Sequence, residues 1–115
     1  MHDADIASLD LLAVHANGTR TRVEFRIGAP EQISLDEWRC EVRLDGLHDA
    51  LHPMHGADSV QALCLALGLA GKLLRDFVAR GGRLLDAAVS ADPTRESDWP
   101  IDAYFLPFAS HDDSA

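Results

Sequence analysis

Hydrophobic and polar residues alternate strictly through "TRTRVEFRIG", residues 19–28, with Val23, Phe25 and Ile27 on one face and Arg22, Glu24 and Arg26 on the other. A period of two predicts a β-strand with one face buried and one in water. "EWRCEVRLD" repeats the pattern and predicts a further strand, with Trp38, Cys40, Val42 and Leu44 inward and Arg39, Glu41 and Arg43 outward. Upstream, "SLDLLAVHANGTR" reads as strand, turn, strand. A tight turn on Asn17 and Gly18 alone would set Asp10 opposite Phe25 and Ser8 opposite Ile27, placing polar groups on the core face. A loop of Ala16, Asn17 and Gly18, with Gly18 left-handed in a bulge, instead pairs Leu11 with Val23, Leu9 with Phe25 and Ala7 with Ile27. That bulged register is the one expected. "APEQISLD", which carries Pro30, is expected to connect the second and third strands. "HDALHPMHG" reads as either a short strand or a loop, and Pro53 argues against a central strand there.

The period lengthens toward 3.6 in the second half, predicting one long helix over about residues 59–80. Asp58 suits its N-cap and Gln61 completes a capping-box spacing. Gly81 and Gly82 end it, with Arg80 in the last turn at the negative end of the helix dipole. Val60, Leu63, Cys64, Leu67, Gly71, Leu74 and Val78 form a stripe expected to lie on the sheet. Leu65, Leu69 and Leu73 form a second stripe that needs another cover, either the aromatic segment "WPIDAYFLPF" or a second copy of the chain. "GRLLDAAVSADPTRESD" offers a strand at residues 83–90 followed by a polar loop, and residues 109–115 read as a disordered tail. The expected fold is α+β: a single domain over residues 1–115, with a small antiparallel sheet of three to five strands packed on one long helix.

At 115 residues the chain is long enough to bury a core without a metal or disulfide staple. Cys40 and Cys64 fit no metal spacing and read as small buried apolar residues. The acidic N-terminus lacks the pattern of a signal peptide, so a cytoplasmic location is expected. The longest uncharged run, residues 59–71, is too short to span a bilayer. Charge changes the picture most. There are 19 acidic and 10 basic residues, a formal charge of −9. Residues 84–115 hold seven carboxylates and one cation (−6), and residues 1–83 hold twelve and nine (−3). Such a surface disfavours nucleic acid and anionic lipid and steers a cationic partner into contact.

His48, His52 and His55 fall within eight residues and raise the question of a metal centre. The spacing of His48 and His52 suits a helix face, but Pro53 and the nearby glycines break any helix, and the expected reading is a set of loop histidines ahead of a cap with no metal bound. Ser59 or Cys64 as nucleophile with His55 as base lacks a nucleophile elbow. "GLAGKLL" lies inside an apolar helix, not between a strand and a helix, so phosphate binding is not expected; Gly68 and Gly71 read as positions of close packing against the sheet or a partner helix. No catalytic residue, metal or cofactor is assigned, and the chain is not expected to be an enzyme.

"RIGAPEQ", "DEWRCEVRLDGL" and "HGADSVQALCLALGLAGKLL" together resemble a family of small, uncharacterised bacterial proteins. That family runs from an Ile-Gly-x-Pro turn through Trp-x-Cys and Gly-Leu to a Gly-x-Asp-Ser-x-Gln-Ala-Leu helix entry. The resemblance covers about residues 19–75 and implies a small sheet with one packed helix, and no activity. The acidic composition is also similar to that of immunity proteins from contact-dependent inhibition and bacteriocin systems. What this implies is a non-catalytic domain that binds and neutralises a basic toxin, a nuclease above all, through complementary charge. The residues expected at that interface are Asp92, Glu96, Asp98 and Asp102 for charge and Trp99 and Tyr104 as aromatic anchors. A homodimeric accessory domain using Leu65, Leu69 and Leu73 is the alternative, and a metal-dependent enzyme at the three histidines ranks last.

Overall fold

A computed structural model of the chain describes residues 5–87 and 97–105. Strands β1 (Asp5–Val14) and β2 (Arg20–Gly28) form a hairpin in the bulged register, with Leu11 opposite Val23, Leu9 opposite Phe25 and Ala7 opposite Ile27. The His15 N–H donates to the Thr19 carbonyl and the Gly18 N–H to the His15 carbonyl, both at 2.8 Å, and Gly18 takes φ +91°. Glycine adopts that angle without Cβ strain. The alternating residues divide as their chemistry requires. Leu11, Ala13, Val23, Phe25 and Ile27 are buried, while on the other face Arg22 donates to Asp10 at 2.9 Å and Arg26 reaches Glu24 at 3.3 Å.

The next part of the chain departs from expectation. "EWRCEVRLD" is not one strand but two, β4 (Glu37–Cys40) and β5 (Val42–Asp45), which belong to different sheets. β5 is an edge of a four-stranded sheet of order β5-β2-β1-β7, and β4 is the centre of a three-stranded sheet of order β3-β4-β6. The inward and outward alternation continues through the break: Cys40, Val42 and Leu44 are buried and Glu41 is exposed. The seam is tied to β2, since the Gly28 N–H donates to the Glu41 carbonyl at 2.9 Å and the Cys40 thiol donates to the Gly28 carbonyl at 3.3 Å. The segment expected to be a plain connector forms β3 (Glu31–Ser34), paired with β4. "HDALHPMHG" resolves into a loop and a short strand, β6 (Met54–Gly56). Pro53 precedes β6 directly and β6 is an edge strand, the place where a proline costs no ladder hydrogen bond.

Helix α1 (Ser59–Ala79) begins and ends as its flanks dictate. Asp58 Oδ1 accepts from the Gln61 N–H at 2.8 Å, and the Gln61 side chain turns back to accept from the Ala57 N–H at 2.6 Å. At the other end the Gly81 N–H donates to the Val78 carbonyl and the Gly82 N–H to the Phe77 carbonyl, with Gly81 at φ +100°, a Schellman closure. Its buried face is not the expected stripe. Ala62, Ala66, Ala70, Gly71 and Leu74 are buried, whereas Val60 is 68% exposed and Cys64, Leu67 and Val78 are also on the surface. Larger apolar residues lost the sheet-facing position to alanines because the helix sits very close to β6: a Cβ at Gly56 would lie 2.6 Å from the Ala62 nitrogen.

Strand β7 (Arg83–Asp86) returns antiparallel to β1, and a short helix α2 (Ile101–Tyr104) follows. The rest of the expected strand, residues 88–90, and the expected tail at 109–115 lie outside the described residues. Trp99 is 4% exposed, and Ile101 and Phe105 pack against the same core. The aromatic segment therefore covers α1 where a cover was needed, and Leu69 and Leu73 of the second stripe pack on the core with it. The α+β class holds, with the antiparallel strands divided between two sheets.

Gly46 follows β5 at φ +101°, and a Cβ there would overlap the Arg22 carbonyl oxygen on β2. Gly18 has a similar angle, but a Cβ would meet nothing within 4 Å. Gly18→Ala should cost about 1 kcal/mol for the left-handed angle alone, and Gly46→Ala at least roughly twice that, because the β2 backbone must also move. Urea unfolding of both variants measures this, and equal losses would mean that the seam between β2 and β5 yields freely.

Candidate functional site

The three clustered histidines do not converge. His48 forms an isolated bridge with Leu44, His52 is exposed in the loop, and His55 on β6 places Nδ1 2.9 Å from Glu37 Oε2 on neighbouring β4. Among the described residues no group of three or more His, Cys, Asp or Glu side chains is placed to hold a metal ion. Ser59 takes the first helical position after the Asp58 cap, while His55 is engaged by Glu37. Cys40 is buried, and burial, with the Glu41 charge adding to it, pushes its thiol above the ordinary value of 9.0. Cys64 corrects the expectation of two buried cysteines, since it lies exposed on α1.

Of the six residues expected at a partner interface, Asp92 and Glu96 lie outside the described residues. Asp98 and Asp102 are exposed but already engaged: Arg83 Nε lies 2.9 Å from Asp98 Oδ1, and Arg75 Nη1 lies 3.3 Å from Asp102 Oδ1. Trp99 is a core residue and presents no surface anchor. Its backbone N–H donates to the Leu84 carbonyl at 2.7 Å, and its ring stacks at 4.5 Å on Tyr104. Its buried indole N–H has no acceptor among the described residues. Tyr104, 50% exposed, is the aromatic group that remains available at the surface.

The sequence pattern gave no sign of the main concavity. A cleft of about 770 Å³ lies between α1 and the first hairpin, walled by Leu9, Phe25, Ile27, Leu67, Tyr104 and Phe105. Gly71 and Gly68, read alike in the sequence, differ here. A Cβ at Gly71 would come within 2.8 Å of the Phe105 ring, so this glycine seats the C-terminal segment, whereas at Gly68, in the cleft wall, a Cβ would meet nothing within 4 Å. None of the side chains lining the cleft carries a full charge at neutral pH, so it suits apolar groups. On the opposite face of β1 a second hollow of about 360 Å³ is lined by Asp10, Arg22, Arg26 and Asp86.

The cysteines give a direct check on this geometry. At about pH 8 an aromatic disulfide reagent should titrate Cys64 in the native protein and reach Cys40 only on denaturation. Because burial raises the folded-state pKa of Cys40, its neutral thiol contributes stability below pH 9.0 that is lost as pH rises through the folded value. The urea midpoint should therefore fall less steeply above about pH 9 in Cys40→Ala than in the wild type.

The chain matches no curated protein and no solved structure. A family profile described as a domain of unknown function does match, over residues 11–89, taking in the hairpin from Leu11 onward, both sheets and the whole of α1. By that match the chain belongs to the family of the domain of unknown function DUF6968.

Proposed function

We propose that this protein is a non-catalytic binding domain for a cationic protein, acting as an immunity protein that neutralises a basic toxin, with a nuclease as the fitting target. The observation that supports this most is the state of its cations. Arg22, Arg26, Arg39, Arg43, Arg75, Arg80 and Arg83 each stand within 4.0 Å of a carboxylate of the same chain. Few positive groups are left to meet phosphate, and the surplus behind the −9 charge is carried by carboxylates. Such a surface attracts a basic domain over about one Debye length and competes with nucleic acid for it. Asp98 and Asp102 keep a place in this reading as exposed carboxylates that could exchange Arg83 and Arg75 for a partner's cations. Tyr104 beside them supplies contact area, and Trp99 supports Tyr104 from below.

A second reading, self-association, draws on the exposed apolar residues of α1, chiefly Val60, Leu65 and Val78. One experiment separates the two. With the protein as bait in lysate of its own bacterium, one stoichiometric basic protein should bind at about 50 mM salt and be released near 500 mM, and its nuclease activity should fall when the bait is added. Charge reversal by Asp98→Lys with Asp102→Lys should slow association about tenfold, with unfolding altered by no more than roughly 1 kcal/mol because both ion pairs are exposed. Capture that is insensitive to salt, or a dimer by light scattering with no basic partner, would overturn the proposal.

A further inference from the structure

Strand β1 is ten residues long but is flanked on both sides for only part of its length. β2 pairs with it from Asp5 to Val14, whereas β7 pairs only with Leu11 through Val14. Among the described residues no strand lies beside Ala7 through Asp10 on the β7 side. The hairpin closure identifies the groups left there. The His15 N–H points at β2, and backbone direction alternates along an antiparallel strand. Leu9 and Leu11 therefore also turn their backbone groups toward β2, while Ser8 and Asp10 turn theirs outward into the open edge.

The two concavities meet at this edge. Ala7 and Leu9 line the apolar cleft on one face of β1, and Ser8 and Asp10 line the charged hollow on the other. An added strand collinear with β7 would thus find hydrogen-bonding groups along its length, room for apolar side chains on one side, and charge on the other. The charged groups beside the edge, Asp10, Glu24 and Asp86 against Arg22 and Arg26, leave one net negative charge.

We propose that Ala7 through Asp10 is the docking edge for an extended segment of a protein partner. The segment adds antiparallel to β1 as a continuation of the β1–β7 ladder, with two apolar side chains entering the cleft and lysine or arginine facing Asp10. This rests on the reading of the domain as a binder of a cationic protein, and it specifies where and how that partner is held. Leu67 and Tyr104 form the far wall of the cleft and set the size of the apolar side chains admitted. The backbone bonds are indifferent to partner sequence, so selectivity comes from the cleft and from charge.

The test is amide hydrogen exchange by NMR on the full chain, alone and with a capped peptide of alternating valine and lysine. In dilute protein the Ser8 and Asp10 amides should exchange at least about 100-fold faster than those of Leu9 and Leu11. The lysine peptide should protect Ser8 and Asp10, and its counterpart of valine and glutamate should not. Leu67→Glu, at a position 37% exposed, should weaken the lysine peptide at least about tenfold without lowering the melting temperature. Ser8→Pro, which removes an N–H that β2 does not use, should do the same by a different route.

Protection of Ser8 and Asp10 in dilute protein would overturn the proposal, because the chain would then satisfy the edge itself. Protection that grows with protein concentration alone would overturn it in favour of a second copy. A basic partner that binds by capture yet leaves these two amides unprotected would sink this docking mode and leave the functional reading standing. Failure of both capture and peptide would remove both.

Discussion

The seat of α1 on β6 is the contact from which the rest of the molecule is arranged. Gly56 leaves no side chain between the strand and the first helical turn, and Ala62, Ala66 and Ala70 continue the approach along the helix. An alanine buries little apolar area, so this face gains less transfer free energy than a row of leucines would. What it provides is proximity, which lets Leu74 and the first-hairpin residues Leu11 and Val23 close into one core. The cost appears elsewhere. A helix held this close over β4, β5 and β6 does not extend across the start of β1 and β2, and the space left there is filled only in part by Phe105.

Charge is organised around the same frame. The outward faces of β1, β2 and β5 carry alternating arginines and carboxylates, and Arg43 bridges Asp5 and Asp45 across the sheet at 3.5 and 3.3 Å. These pairs are exposed, so each contributes little stability. Their larger effect is on what the protein can meet: guanidinium groups engaged at home leave a field dominated by unmatched carboxylates.

Local physics explains which features were legible in the sequence. The bulged hairpin register was readable because slipping it by one residue would exchange Leu9 and Leu11 for Ser8 and Asp10 on the buried face. The ends of α1 were readable because Asp58, Gln61, Gly81 and Gly82 act within a few residues of themselves. The division of "EWRCEVRLD" was hidden, because a strand that changes sheets at Glu41 keeps its alternation intact. The helix face was misassigned because hydrophobicity ranks Val60 and Leu67 above Ala62 and Ala66, whereas a close approach to backbone ranks by size. A ladder of alanines at every fourth position was the available signal. The cleft and the open edge of β1 left no trace in the sequence pattern, since both depend on where distant segments stop.

Trp99 also carries a consequence for how the family is delimited. Its ring is part of the core and its backbone is bonded to Leu84, yet it stands ten residues beyond the last position of the family match, and Phe105 against Gly71 stands further still. The unit that folds is therefore longer than the unit that sequence comparison recognises. A fragment cut at the bounds of the match would lose its lid of aromatic rings and half of its first strand, leaving Leu74 and Leu84 open to water. Solubility screens and binding assays on such a fragment would report on a damaged core, not on the domain.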